Sequence, residues 1–332
     1  MKALASTILM ALACCAHASD PTAQEYAQKG MQYADLFPGL TNICDLKSPI
    51  RNMAIRTVNS EQKRKEKKSG KGRSEPIPPT QVFDNLYYIG TGGVSSWAIT
   101  TSDGIILVDA LNNNAQAKQY IEAGLIELGL DPNSIKYLLI THGHGDHYGG
   151  QEYLVEHYQP RLVMTDVEWT RLEQPVQDFA SPRWGKKPSR DITVADGESI
   201  SLGETTVSIY LTPGHTPGTM SLIFPVYDNG EQHIVSLWGG TGLNYGPDEE
   251  RILAYSQAAQ RFKQIAKEAG VDIYLSNHPT RDGSSEKMLR DLPNRQANQP
   301  HPFVMGQAAI HAYDMLGDCT YAQVLRIRAE QQ

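Results

Sequence analysis

The sequence predicts a mixed α/β (α+β) protein in which two β-sheets pack face to face with helices outside. Three observations point there. Short apolar or alternating runs bounded by Gly, Asn and Asp recur from Val82 onward, and they alternate with longer stretches of helical period. The pattern runs twice, with a second round beginning near Asp191, so two similar halves each supply strands and covering helices. Finally, 332 residues of which 40% are hydrophobic and 20% charged are enough to bury a substantial core. The net charge of −7 argues against a dedicated nucleic-acid binder, which would usually carry a basic face.

Residues 1–18 read as a secretory leader. Lys2 gives the positive start, and Ala3 to Cys15 is an apolar, small-residue run too short to span a bilayer. Ala16-His17-Ala18 fits the small-x-small cleavage rule, so Ser19 begins the mature chain. Leu12-Ala13-Cys14-Cys15 loosely matches a lipid-attachment box, which makes a lipoprotein the alternative. The expectation is a periplasmic or secreted protein without stable membrane insertion. Cys14 and Cys15 leave with the leader. Cys44 and Cys319 remain, and an exported pair can form a disulfide if the two lie close in space. Neither has the spacing of a metal site.

Residues 19–81 form an N-terminal extension and linker. Helix is expected around Ala23 to Phe37. Lys63, Arg64, Lys65, Lys67, Lys68, Lys71 and Arg73 then crowd a stretch ending in Pro76, Pro78 and Pro79, which reads as a solvated loop. Residues 82–332 are the main domain. Strands are expected at Leu86 to Ile89, Ser96 to Thr100, Gly104 to Asp109 and Ile135 to Ile140, with helices at Ala115 to Leu128 and over 149–158. The second round has strands at Ser199 to Leu202, Thr206 to Leu211, Ser221 to Phe224 and His233 to Trp238. Helix Glu249 to Glu268, strand Asp272 to Leu275 and a C-terminal helix around Gly306 to Leu316 complete it.

The segment that carries chemistry is Thr141-His142-Gly143-His144-Gly145-Asp146-His147, directly after an apolar strand, where α/β folds present functional groups. Its glycines let the backbone turn tightly. Imidazole and carboxylate suit Zn²⁺. Four ligands in one loop crowd a single tetrahedral ion, so His142 and His144 are expected to point one way and Asp146 and His147 the other. Two metals would then sit about 3.5–4 Å apart. Further ligands are sought at other strand ends: His215 between two Pro-Gly pairs in Thr212 to Gly218, and His278 in Ser276-Asn277-His278-Pro279. His157, His233, His301 and His311 lack such settings and read as surface or helix residues.

The His-x-His-x-Asp-His motif, the downstream Pro-Gly-His and the final His resemble the metallo-β-lactamase superfamily over roughly residues 82–317. The resemblance implies a four-layer αββα sandwich with a dinuclear zinc site, two Zn²⁺ per chain. Carried over by position, His142, His144 and His215 would hold one zinc, and Asp146, His147 and His278 the other. Asp109 resembles the strand-end Asp that supports the metal loop from behind.

Departures narrow the branch. Glyoxalase II and the acyl-homoserine lactonases usually carry a metal-bridging Asp after a later strand, whereas the similar place here reads Trp238-Gly239-Gly240-Thr241-Gly242. No Cys lies between 45 and 318, which disfavours the cysteine-using β-lactamase subclasses. Flavin-linked di-iron members want a Glu where His144 stands. The chain is most similar to the third metallo-β-lactamase subclass, although that subclass often has serines at this turn to bind the substrate carboxylate, and only Thr241 could do so here.

The resemblance implies a monomeric enzyme that opens β-lactam antibiotics, hence antibiotic resistance. A metal-bound hydroxide, formed because bound water falls to a pKa of about 7, would attack the amide. Asp146 would be a ligand and would orient the nucleophile. The alternative is a lactonase or another acyl ester or amide hydrolase on the same site, since fold and motif do not choose the acyl substrate. Either way the partner is a small molecule, with no nucleic acid. Trp97, Phe179, Trp184 and Tyr245 are expected on loops, either as pocket walls or as plain packing.

Overall fold

A computed structural model describes residues 21–53, 77–175, 177 and 180–331. The leader, the basic run and Phe179 lie outside the described residues.

Twelve strands of the described residues form two sheets. The first holds β1 (Thr80–Phe83), β2 (Leu86–Tyr88), β3 (Trp97–Thr101), β4 (Gly104–Val108), β5 (Ile135–Leu139), β6 (Arg161–Thr165) and β7 (Ile192–Val194) in sequence order. β1 to β4 are an antiparallel meander, and β4 to β7 run parallel. The second sheet has the order β12-β11-β10-β9-β8. It is built from β8 (Ser199–Leu202), β9 (Thr205–Leu211), β10 (Met220–Asp228), β11 (Glu231–Trp238) and β12 (Ile273–Ser276), and only β12 joins in parallel.

Alternation along each strand sorts side chains between two layers. In β4, Ile106 and Val108 face the second sheet and join Leu139, Val207, Leu222, Leu237 and Leu275 in the central core. Ile105 and Leu107 face outward and are covered by Ile121 and Leu125 of a helical segment over 114–127, Leu154 of a helix at Gln151–Tyr158, and Trp169. On the far side, Trp238 and Tyr274 pack under Tyr255 and Phe262 of the helix Glu249–Glu268 and Tyr313 of the helix His311–Glu330. The layers are therefore helix, sheet, sheet, helix, as expected.

The N-terminal segment belongs to this outer layer. The helix Ala23–Met31 begins on a capping box, Thr22 with Glu25, and packs along His311–Glu330. Phe37, Leu40 and Ile43 are buried with it, and Cys44 is disulfide-bonded to Cys319.

Several expectations change. Trp97 is a strand residue, 1% exposed and edge-on to Tyr88, so it is core and not pocket wall. β6 and the helix Asp166–Glu173 fall where no element was expected. The C-terminal helix continues past Leu316 to Glu330, because its Gly317 and Cys319 are buried against neighbours instead of ending it. His301 is buried, stacked on Phe83, with Nε2 2.8 Å from the Val82 carbonyl.

Candidate metal centre

Five strands end at one edge of the sandwich, and each hands over to a loop that carries part of the site. Asp109 follows β4, His142 to His147 follow β5, His215 follows β9, Gly240 to Gly242 follow β11, and His278 follows β12. All are the carboxyl ends of strands, where loops converge in open α/β sheets.

The six expected ligands form two groups, His142–His144–His215 and Asp146–His147–His278, each with its ligand atoms within 4.8 Å of one another. In the first, His144 Nδ1 lies 3.0 Å from His142 Nε2 and 3.1 Å from His215 Nε2. The ring atoms behind are fixed by carbonyls. His142 Nδ1 donates to Gly239 O at 2.8 Å, His215 Nδ1 to Gly242 O at 2.7 Å and His278 Nδ1 to Gly93 O at 2.8 Å. A carbonyl only accepts, so the ring proton sits on Nδ1 and each Nε2 presents a lone pair to the centre.

Electrostatics agree. Burial holds His142 and His144 far below the ordinary histidine pKa, His215 down to about 3 and His278 down to about 4, so these rings stay neutral. Burial would also lower His147, but the Asp109 and Asp146 carboxylates overcome it and raise that ring's pKa. Burial pushes Asp146 up, yet the neighbouring His147 and His278 leave it net lowered, as carboxylate. Buried lone pairs about 3 Å apart repel unless positive charge lies among them. His147 Nε2 is likewise buried, with no hydrogen-bond partner among the described residues. The donor set thus fits two borderline cations of the zinc type.

Two buried carboxylates hold the loops. Asp109 has a left-handed backbone, φ 62°, which Asp tolerates better than most residues. It accepts from Thr141 N at 2.8 Å, Thr141 Oγ1 at 2.9 Å and His147 Nδ1 at 2.7 Å. Glu168 is 1% exposed and joins the two loops of the first triad. It accepts from Gly143 N at 2.8 Å, Gly218 N at 2.9 Å and Thr216 Oγ1 at 2.8 Å, and pairs with Arg171 at 3.2 Å. Sequence reasoning missed Glu168. The available signal was Thr165-Asp166-Val167-Glu168, a helix-start pattern; Thr165 does cap Glu168 N at 3.3 Å.

The triads open into a cavity of about 840 Å³ lined by Trp184, Thr241, Arg281 and the Thr91 to Val94 loop. Trp184 is pressed against Gly145, where a β-carbon would lie 2.4 Å from the indole, so only glycine fits beneath it. Thr241 is 3% exposed and its Oγ1 has no partner among the described residues. A β-carbon at Gly240 would lie 2.6 Å from that of His215, so no carboxylate can stand there. Tyr245 lies instead beneath Arg251, whose guanidinium is 3.7 Å from the ring centre.

The family model of the metallo-β-lactamase superfamily matches residues 89–228. A hydroxyacylglutathione hydrolase of Crocosphaera subtropica is 29% identical over 128 residues, 38% of this chain and 44% of the relative. Another, of Francisella philomiragia, is 25% identical over 205 residues, 56% of this chain and 72% of the relative. The first of these matches spans less than half of the curated relative's length. A subclass B3 metallo-β-lactamase of Bradyrhizobium japonicum superposes with a TM-score of 0.63 at 25% identity, covering 79% of this chain and 99% of that one. A metallo-β-lactamase of Legionella gormanii gives 0.63 at 24%, covering 76% and 97%, a likeness of fold. Sequence motif, layer order and strand-end site agree with these matches: residues 89–228 match the metallo-β-lactamase superfamily model, and the fold is that of the metallo-β-lactamase sandwich.

Proposed function

We propose that the protein is an exported, zinc-dependent hydrolase that opens the amide bond of β-lactams. The observation that carries this reading is the donor set: two separate three-residue groups of His and Asp with no carboxylate shared between them. Among the described residues no free thiol competes, because Cys44 and Cys319 are joined to each other. His142, His144 and His215 would hold one zinc, and Asp146, His147 and His278 the other. When bound, zinc supplies Lewis acidity that activates water and polarises a carbonyl.

The chain's own groups do the rest. Asp146, a quarter exposed at the cavity, accepts a hydrogen bond from water and orients it. The Thr241 hydroxyl donates to the substrate. Trp184 walls the cavity and excludes solvent. Export is supported by the Cys44–Cys319 bond, since such bonds persist in oxidising compartments. No helix among the described residues is long and apolar enough to cross a membrane.

One finding favours a second reading. The Crocosphaera subtropica and Francisella philomiragia relatives are named hydroxyacylglutathione hydrolases, so a thioester is the competing acyl substrate. The deciding experiment is turnover of a chromogenic cephalosporin and of a hydroxyacylglutathione thioester by the purified protein, with zinc and with chelator. Zinc-dependent cephalosporin turnover is expected. Thioester turnover without cephalosporin turnover would overturn the β-lactamase reading in favour of the second.

A further inference from the structure

Arg251 stands in the first turn of the helix Glu249–Glu268, where its backbone N–H donates to the cap Asp248 at 3.1 Å. A cation there faces the positive end of the helix dipole, so the helix gains nothing from it. The side chain reaches instead to the turn after β9. Nε donates to Gly214 O at 2.9 Å, and Nη2 donates to His215 O. The planar guanidinium thus grips two consecutive carbonyls of the turn that carries a proposed metal ligand.

That turn has little else to hold its near side. Gly214 has a φ of 133°, and a β-carbon on it would lie 2.3 Å from that of Tyr255, so only glycine fits. Glycine also has the most backbone freedom to lose. Glu168 holds the far side of the turn through Thr216 and Gly218. The His215 ring itself is tied behind at one atom, Nδ1 donating to Gly242 O at 2.7 Å. A ring tied at one atom can pivot about it, so the backbone beneath decides where Nε2 points.

The guanidinium is seated in turn. It lies 3.7 Å from the centre of the Tyr245 ring, a cation–π contact. The N-terminal segment pairs with the strand-like stretch that bears this ring. Asn52 and Tyr245 form an antiparallel bridge, Met53 N donates to Asn244 O at 2.8 Å, and Gly246 N donates to Arg51 O at 2.9 Å. Earlier in the same segment, Cys44 is bonded to Cys319. Contacts therefore run without a break from the N-terminal segment through Tyr245 and Arg251 to His215.

We propose that Arg251 is a positioning residue of the metal centre: seated on Tyr245, it locks the main chain of His215 so that this ring meets His142 and His144. It acts behind the turn and outside the cavity lining. Its grip is on Gly214 and His215, so it serves the first triad and not the second. The inference rests on the reading of these histidines as a metal triad, but not on which acyl bond is cut.

The test is titration of the chelator-treated protein with cobalt, followed by visible absorption. It compares the native protein, His215→Ala, Arg251→Met and Arg251→Lys, each checked for folding by circular dichroism. The native protein should show two binding steps, and the step lost in His215→Ala marks the first triad. Arg251→Met should weaken that step roughly 10- to 100-fold, the range for groups that orient a ligand, and shift its absorption bands. The other step should be unchanged. Arg251→Lys keeps the charge without the planar fork and should recover part of the loss. With His215→Ala already present, Arg251→Met should change metal binding no further. Two unchanged steps, or two equally weakened steps, in folded Arg251→Met would overturn the proposal. Where Arg251→Met does not fold, Arg251→Lys decides by the same criterion. A native protein that binds no cobalt would overturn the metal reading and the proposal with it, a result distinct from failure in the variants alone.

Discussion

At the scale of residues, the site depends on two carboxylates that touch no substrate. Asp109 fixes His147 and the Thr141 turn, whereas Glu168 fixes the loops that bear His142, His144 and His215. Groups that orient ligands typically cost 10- to 100-fold in metal affinity when removed. Asp109→Asn should therefore weaken the second triad, and Glu168→Gln the first. Cobalt titration followed by its visible absorption separates them, because each variant should alter one of two binding steps by roughly 10- to 100-fold. If Glu168→Gln leaves both steps unchanged, its contacts are structural only. Asp109 was readable from its place at a strand end. Glu168 was not, because a helix-start Glu more often reaches back to its own cap. Only the approach of the loop at 216–218 turns its carboxylate to the site.

At the scale of elements, the N-terminal segment is the chief addition to the sandwich. Its helix Ala23–Met31, the buried Phe37, Leu40 and Ile43, and the Cys44–Cys319 bond fasten it to the helix His311–Glu330. The bond closes a loop of 275 residues in sequence, and removing such a crosslink typically costs about 2–5 kcal/mol. Cys44→Ala with Cys319→Ala should lower the denaturation midpoint accordingly, and an unchanged midpoint would contradict that. The strands were legible where alternation or a compact apolar run met a turn, as in Ile135–Leu139 and Ser199–Leu202. The helix Glu249–Glu268 was legible to the residue, since Asp248 caps it at 3.1 Å and its buried positions follow helical spacing. β6 and the helix Asp166–Glu173 were not, because each is short and they join without a turn residue between them.

At the scale of the whole molecule, the two sheets bring together loops that lie far apart in sequence. His144 and His215 are 71 residues apart and meet at 3.1 Å. Such a centre, with neutral rings set lone pair to lone pair, is stabilised by the cations it fits. Ligand that binds only the folded state adds about 4 kcal/mol at a thousandfold excess over its Kd. Chelation should lower the melting temperature by several degrees and added zinc should restore it. A melting temperature indifferent to chelator would argue against metal in these triads.

The sequence by itself determined which candidate ligand types stand together: the six residues from His142 to His147 lie in one loop, and their spacing lets His142 and His144 point away from Asp146 and His147. The alternation along the strands likewise determined two sheets with helices outside. What only the tertiary structure decided is everything that depends on two distant segments meeting: the role of Glu168, the burial of Trp97, the pairing of Cys44 with Cys319, and the position of Arg251 against the carbonyls of Gly214 and His215. Local pattern specifies which face of an element is apolar, but contact between elements depends on how those faces pack, and no short stretch of sequence carries that information.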